Sequence, residues 1–255
     1  WDWHEDLFSY GRDLGITVFS SPFDNAAVQL LSDLDAPAYK IASFEIVDLP
    51  LITRVASLGK PIIISTGMAS SLEIKEAVDT SAEAGASEIA LLHCVSAYPT
   101  DPKDSHLRVI EQIRHEYKLV SGLSDHTLGN STSIAAVALG ASIIEKHFTL
   151  DRSFEGPDHS ASLDPNELKI MIEKIRNIEY SLGSGIKKPS NSEIKNIPIA
   201  RRSIVAKTLI RKGEIFSKKN ITTKRPGTGI SPMKWDELLG TESKYDFEID
   251  DLIKL

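Results

Sequence analysis

Residues 61–67 read Pro-Ile-Ile-Ile-Ser-Thr-Gly, and the class of the fold follows from this stretch. Its three isoleucines stand between a proline and a glycine, which is typical of a short strand buried on both faces of a parallel sheet. Residues 71–84 then carry apolar side chains three and four positions apart, and the pattern stops at Gly85, as an amphipathic helix does. The stretch therefore predicts one βα unit.

The same unit recurs along the chain. Strands are predicted at residues 16–20, 38–43, 61–65, 88–93, 119–123 and 142–147, and helical periodicity lies at 25–34, 49–58, 71–84, 102–116, 130–139 and 165–182. Because eight such units close a (β/α)8 TIM barrel, we expect a barrel that lacks its first two βα units in this chain, an N-terminal truncation. An open doubly wound sheet is the weaker alternative, since no glycine-rich phosphate loop follows any strand.

The last quarter of the sequence differs in character. Residues 185–196 are polar and contain glycine, proline and serine, which is typical of a linker. Residues 197–255 show short strand-like runs and turn signals without a long helical period. We therefore predict a partial barrel over residues 1–184, a linker over 185–196, and a small β-rich domain over 197–255.

Composition excludes several classes of function. The 255 residues are 41% hydrophobic and 25% charged, with a formal net charge of −7, which is typical of a soluble globular protein. Without a basic stripe, nucleic acid is not an expected partner, and no apolar run reaches the roughly 20 residues of a membrane span. The single cysteine, Cys94, indicates a reducing compartment, so we expect a cytoplasmic protein.

Polar side chains collect where the predicted strands end, which is the face on which TIM barrels build active sites. His126 and His147 follow neighbouring strands, so two imidazoles with water or substrate oxygens would suit a divalent metal. The alternative is that each histidine only forms local hydrogen bonds. If the histidines do bind a metal, Asp125 and Asp158 would orient these ligands or hold a metal-bound water.

Two lysines, Lys40 and Lys146, lie in predicted strands. Burying an ammonium without a partner is costly, so each requires an ion pair or an anionic ligand. For Lys146, which lies between Glu145 and His147, an internal ion pair is as reasonable as a ligand. For Lys40 we favour an anion, held together with hydroxyl groups that end the strands, and a Schiff-base role for either lysine is the rival chemistry. Those hydroxyls belong to Ser21, Ser43, Ser65, Ser96 and Ser124.

Taken together, these strand endings resemble the sialic acid synthase family, which includes the N-acetylneuraminate, legionaminate and pseudaminate synthases. The tail, with Ala-Arg-Arg-Ser at 200–203 and Lys-Arg-Pro-Gly-Thr-Gly at 224–229, is similar to the antifreeze-protein-like (SAF) domain of that family. The motifs that carry the resemblance lie at 20–24, 64–68, 93–99, 122–127, 145–152 and 156–159.

The resemblance implies a transferase that condenses phosphoenolpyruvate with an open-chain N-acetylated amino sugar and releases phosphate. It implies Mn²⁺, or Mg²⁺ or Co²⁺, on His126 and His147, and catalytic roles on the sugar or water side for Glu45, Tyr98 and Asp158. Phosphoenolpyruvate would be bound by Lys40, Ser21, Ser43, Ser65, Ser96 and Ser124. Arg225 matches an arginine that enters the active site of the partner subunit, which implies a domain-swapped homodimer.

Two departures limit what the resemblance implies. An acidic residue and a lysine, which the family carries on its first two barrel strands, are not in this chain, so activity is expected of a longer protein. Residues 40–45 are similar to the pseudaminate branch, whereas residues 156–159 are similar to the sialic and legionaminic branches, which leaves the sugar open. The alternative functions are a Schiff-base aldolase that uses Lys40 or Lys146, and a non-enzymatic carbohydrate-binding protein whose residues 197–255 bind glycans.

Overall fold

A parallel sheet of five strands forms the centre of the first part of the chain, in the computed structural model that describes all residues from Trp1 to Leu255. The strands lie in chain order, each beside the next, as in one side of a TIM barrel. This half-barrel confirms the predicted class of fold. The strands are β1 (Tyr39–Ile41), β2 (Ile62–Ser65), β3 (Ile89–Cys94), β4 (Val120–Asp125) and β5 (Ile143–Lys146).

Helices connect the strands and begin where the sequence supplies capping side chains. Asp24 accepts a hydrogen bond of 2.7 Å from Ala27 N at the start of the helix Asn25–Asp33. Reciprocal capping boxes start the helices Ser71–Glu83 and Pro165–Leu182, and they are formed by Ser70 with Glu73 and by Asp164 with Glu167. None of the helices combines the length and the apolar character that a membrane-spanning segment requires. The helices are α1 (His4–Asp13), α2 (Asn25–Asp33), α3 (Leu49–Ala56), α4 (Ser71–Glu83), α5 (Val109–Tyr117), α6 (Ser131–Ala138) and α7 (Pro165–Leu182).

The strand predicted at residues 16–20 does not form. Only Ser20 bridges to Tyr39, with Lys40 N donating to Ser20 O at 3.2 Å. The amide of Ile16 instead donates to Gly11 O of α1 at 2.9 Å, so the segment is bonded back to the preceding helix before it reaches the sheet. The sheet therefore has five strands and one further bridge rather than six strands.

The core of this first unit, Trp1–Ser184, lies between the sheet and the helices that cover its outer face. Ile41, Ile64 and Leu91 from the strands pack with Ile52 and Val55 of α3, and all five are fully buried. Isoleucine and valine suit strands that are covered on both faces, which explains why the three isoleucines of β2 locate it so clearly.

The second unit, Gly185–Leu255, has a separate core. Two antiparallel strands, β6 (Ser203–Ala206) and β7 (Ile221–Lys224), are surrounded by loops that contribute Phe216 and Phe247 to that core. The segment predicted as a linker is exposed but not wholly irregular, because it contains the first of three short helices. These are α8 (Asn191–Ile194), α9 (Ile197–Ala200) and α10 (Trp235–Leu238).

Candidate active site

The carboxyl ends of β4 and β5 place four polar side chains on the inner face of the half-barrel. The strands pair in register, with Ser124 opposite Glu145. Since successive side chains of a strand point to opposite faces, His126 lies on the same face as Ser124, and His147 lies on the same face as Glu145. The sheet therefore presents two hydrogen-bonding side chains and, one step further along, two imidazoles.

Lys40 extends across this face from β1. Its Nζ donates to Ser65 Oγ at 2.7 Å and to Ile41 O at 3.1 Å, and it lies 3.6 Å from Glu145 Oε2. Ser124 Oγ donates to Glu145 Oε1 at 2.6 Å, which continues the network. Burial lowers the pKa of the Lys40 ammonium, although the carboxylate of Glu145 opposes that shift. The structure thus brings three of the residues predicted to bind phosphoenolpyruvate into one network.

A second pair of the predicted hydroxyls meets beside Gly67. Ser43 Oγ and Ser96 Oγ are 2.8 Å apart. A Cβ at position 67 would lie 2.2 Å from Ser96 Oγ and 3.1 Å from Ser43 Cβ, so only glycine permits this approach. Ser21, the sixth predicted residue, is half-buried and follows the Ser20 bridge beside β1.

His126 and His147 stand side by side, with ring centroids 5.2 Å apart. His126 Nδ1 lies 2.9 Å from Val95 O, and because a carbonyl can only accept, this nitrogen carries the proton and Nε2 keeps its lone pair. Burial lowers the pKa of His126, which favours the neutral imidazole that a metal requires.

The donor set around the two rings fits an incompletely ligated metal. Asp158 Oδ2 lies 3.8 Å from His147 Nδ1, and no group of three or more His, Cys, Asp or Glu side chains converges anywhere in the structure. Two imidazole ligands would therefore leave most coordination positions to water and substrate oxygens, as a catalytic ion needs. The hydrogen bond from His126 to a backbone carbonyl is also typical of a metal-ligating histidine.

The remaining predicted catalytic residues border this site. The ring of Tyr98 lies 4.2 Å from that of His126 and 5.6 Å from that of His147. Burial raises the pKa of the Tyr98 phenol, and Cys94 and two carboxylates add to that effect, so the hydroxyl remains a proton donor. Glu45, on the 3₁₀ turn after β1, has a buried Oε2 without a hydrogen-bond partner, and burial raises the pKa of its carboxyl.

The structure resolves the two readings of Lys146 and places Asp125 away from the imidazoles. Both side chains lie on the outer face of the sheet, where Lys146 Nζ donates to Asp125 Oδ2 at 2.9 Å. Lys146 is thus an ion-paired residue and not part of an anion site. Asp125 accepts hydrogen bonds from Thr127 and Ser133 rather than from either histidine.

Glu145 is a site residue that the sequence reasoning missed. In the sequence it stands out only as a neighbour of Lys146, yet in the structure it accepts a hydrogen bond from Ser124 and faces Lys40. The signal was present in the strand period, because residues 145 and 147 must share a face if His147 points inward.

Arg225 belongs to the second unit. Its side chain is exposed, and its Nε donates to Ala200 O at 2.9 Å. The loop that follows is fixed by the buried hydroxyl of Ser203, which donates to Pro226 O at 2.6 Å and accepts from Gly229 N at 2.8 Å. The structure therefore holds Arg225 on an ordered loop within its own unit.

Comparison with known proteins identifies the family of both parts of the chain. The NeuB family matches residues 1–187, and the SAF domain matches residues 201–255. The N,N'-diacetyllegionaminic acid synthase of Campylobacter jejuni is 47% identical over 253 residues, which cover 98% of this chain and 76% of that protein. A pseudaminic acid synthase of the same species is 39% identical over 254 residues, covering 100% of this chain and 74% of that protein.

A solved structure shows the same relationship. The chain superimposes on N-acetylneuraminic acid (sialic acid) synthetase from Leptospira borgpetersenii, crystallised with citrate, with a TM-score of 0.72 and 35% identity. The match covers 76% of this chain and 67% of that one. The chain therefore belongs to the NeuB family, with a SAF domain after its half-barrel.

Proposed function

We propose that this enzyme is a nonulosonic acid synthase that condenses phosphoenolpyruvate with the open-chain aldehyde of an N-acetylated hexosamine. A carbon–carbon bond forms between C3 of phosphoenolpyruvate and the aldehyde carbon, water adds at C2, and the bond from C2 to the phosphate oxygen breaks. The products are a nine-carbon 2-keto acid and phosphate. The observation that carries the proposal is the buried Lys40 ammonium, hydrogen-bonded to Ser65, on the same sheet face as the two imidazoles.

The anionic end of the substrate is assigned to the lysine and the hydroxyls. Lys40 is 6% exposed, and its nearest carboxylate oxygen, on Glu145, lies 3.6 Å away, so the cation is only partly compensated. A phosphate or carboxylate between Lys40 and the Ser43–Ser96 pair would supply the missing negative charge and accept their hydrogen bonds. Charge-assisted bonds of this kind are the strongest available to phosphoenolpyruvate in this site.

The aldehyde end is assigned to the side of the histidines. His126 and His147 would hold Mn²⁺, and when bound such an ion would supply Lewis-acid polarisation of an aldehyde and activation of water. Tyr98 stands against both rings with its hydroxyl protonated, so it is placed to donate a hydrogen bond to a sugar oxygen. Asp158, beside His147, and Glu45 would accept hydrogen bonds from sugar or water.

Among possible sugars, the 2,4-diacetamido substrate of legionaminic acid synthesis is the first choice. Identity to the legionaminic acid synthase of C. jejuni is 47%, whereas identity to its pseudaminic acid synthase is 39%. Relatives of one fold use different sugars, so this preference concerns the substrate and not the reaction.

The decisive measurement is phosphate release from phosphoenolpyruvate by the full-length protein with Mn²⁺. We expect release with the 2,4-diacetamido substrate of legionaminic acid synthesis, and less with N-acetylmannosamine or the pseudaminic precursor. The His147→Ala variant should release none. Absence of release with every sugar would overturn the proposal, and borohydride trapping of a keto acid on Lys40 would establish the Schiff-base aldolase instead.

Arg225 is proposed to act in the site of a partner subunit in a domain-swapped homodimer. Its exposed guanidinium on an ordered loop supports this role. Mixing inactive Arg225→Ala and His147→Ala proteins under conditions that exchange subunits should restore activity, because one site of the mixed dimer then has both residues. If the two variants stay inactive in a verified mixed dimer, Arg225 does not act in the partner's site.

A further inference from the structure

A closed polar cluster lies behind the histidine pair, on the outer face of the sheet. Asp125 Oδ2 accepts from Lys146 Nζ at 2.9 Å and from Ser133 Oγ of α6 at 2.6 Å. Asp125 Oδ1 accepts from Thr127 N at 2.8 Å and from Thr127 Oγ1 at 2.7 Å. Lys146 Nζ also donates to Thr127 O. We refer to Asp125, Thr127, Ser133 and Lys146 as the rear cluster.

The rear cluster is located where β4 and β5 stop pairing with each other. Asp125 and Lys146 are the last residues of β4 and β5, and they are also the last paired positions between those strands. His126 and His147 are the next residues in each segment, beyond the ladder between β4 and β5. Their backbone carbonyls accept from Thr100 N and Leu163 N, each at 2.9 Å, but these bonds do not join one histidine to the other. The bonds from Asp125 to Thr127 close a loop around His126, and the bond from Lys146 to Thr127 O joins that loop to β5.

Burial makes this cluster different from an ordinary surface ion pair. The side chains of Lys146 and Asp125 are 4% and 1% exposed, and Ser133 is completely buried. Such pairs often contribute little net stability relative to apolar residues of similar volume, because both charges must leave water. What apolar residues cannot reproduce is the set of directed bonds that sets the distance between two strand ends.

We propose that the rear cluster is a positioning unit that sets the separation and orientation of His126 and His147 for the metal. The inference rests on the proposed metal role of the two histidines. Neither Asp125 nor Lys146 touches the ion in this proposal. They act through the backbone of the residues that do, as partners behind metal ligands commonly do.

The test is the Mn²⁺ affinity of an Asp125→Asn/Lys146→Met double variant of the full-length protein, measured by calorimetric titration without substrate. Asparagine keeps the acceptor for Thr127, methionine keeps the volume of lysine, and no lone buried charge remains. We expect a melting temperature within a few degrees of the parent and an affinity about 10-fold to 100-fold weaker. A role in stability alone would leave the affinity unchanged.

The control for the replacements themselves is the Asp35→Asn/Lys60→Met variant, in an exposed ion pair. It makes the same two replacements in an ion pair of 3.0 Å that precedes β1 and β2, at the opposite ends of the strands. Its Mn²⁺ affinity should equal that of the parent. Equal loss in both double variants would overturn the proposal.

Two further outcomes separate this inference from the proposed function. If the rear-cluster variant binds Mn²⁺ as tightly as a parent that is active, the positioning role is wrong and the synthase assignment stands. If the parent itself binds no Mn²⁺, the proposed Mn²⁺ role of the two histidines and the positioning role that rests on it are both wrong, while phosphate release still decides the synthase assignment. Should the double variant fail to fold, Thr127→Val removes only the hydroxyl bond to Asp125, and an unchanged affinity there would equally overturn the proposal.

Discussion

Burial of the Lys40 ammonium costs free energy unless an anion binds beside it. Its contacts are one hydroxyl, one carbonyl and a carboxylate at 3.6 Å whose side chain is 40% exposed. A Lys40→Met variant should therefore fold at least as stably as the parent, because the desolvated charge is gone and Glu145 can still be hydrated.

The same variant should bind phosphoenolpyruvate about 10-fold to 100-fold more weakly, since a hydrogen bond between charged groups contributes about 1.5–3 kcal/mol. Calorimetric titration of phosphoenolpyruvate and thermal melting measure the two effects separately. Lys40→Arg, which keeps the charge, should bind better than Lys40→Met, although the wider guanidinium will not restore full affinity. Unchanged binding in Lys40→Met would exclude Lys40 from the anion site.

The buried imidazole of His93 should make the stability of the protein depend on pH, apart from any reaction at the candidate active site. Its ring is buried, with Nε2 2.8 Å from Ser105 O, and burial lowers its pKa below the ordinary value of about 6.5. The unfolded chain therefore binds a proton that the folded protein does not. This contribution to stability is present above pH of about 6.5 and is lost as the pH falls toward the lower folded pKa.

Replacing His93 with glutamine, which can still donate to Ser105 O, should flatten that part of the profile. The slope of the free energy of unfolding against pH should fall by at most about 1.4 kcal/mol per pH unit, which corresponds to the binding of one proton. Urea unfolding between pH 7 and 5 measures it, and His115→Gln on α5 controls for loss of an exposed imidazole. A profile as steep as that of the parent would show that other groups cause the acid sensitivity.

At the scale of elements, Gly67 links the end of β2 to the end of β3. The φ angle of Gly67 is not positive, so an alanine at this position would meet steric contacts but no backbone strain. The added Cβ would meet Ser96 Oγ at 2.2 Å and push Ser43 and Ser96 apart.

We expect Gly67→Ala to cost about 1–3 kcal/mol of stability through overpacking. Its KM for phosphoenolpyruvate should rise by up to about 100-fold, since displacements of about 1 Å have effects of that size. Steady-state kinetics and thermal melting test both, and the Gly67→Ala/Ser96→Ala variant should recover stability because the nearest atom is removed. An unchanged KM would show that the Ser43–Ser96 pair does not contact phosphoenolpyruvate.

Elements were predictable from sequence where local side chains determine them. The isoleucines of residues 62–64 located β2 to within one residue, because a strand buried on both faces must be apolar throughout. Residues 16–20 have a similar composition but make no strand. A strand needs backbone bonds to a neighbouring strand, whereas the amide of Ile16 donates to α1 and only Ser20 bridges to β1. Similarly, residues 145–147 do not reveal which side chain faces inward. The register of β4 against β5 decides that, and it placed Lys146 on Asp125.

For the molecule as a whole, two separate cores predict two cooperative transitions. The core of Trp1–Ser184 includes Ile52, and that of Gly185–Leu255 includes Phe216, both almost fully buried. Residues 181–196 between them are all exposed, so this segment buries little apolar surface that could join the two transitions.

Scanning calorimetry should therefore resolve two transitions that respond to different substitutions. Phe216→Ala, expected to cost about 3–5 kcal/mol, should lower one of them, and Ile52→Ala, expected to cost about 2–5 kcal/mol, should lower the other. Each variant is the control for its counterpart, because each removes buried apolar volume from one core only. If both substitutions lower a single transition together, the two units unfold as one cooperative structure and the expectation of two transitions is wrong.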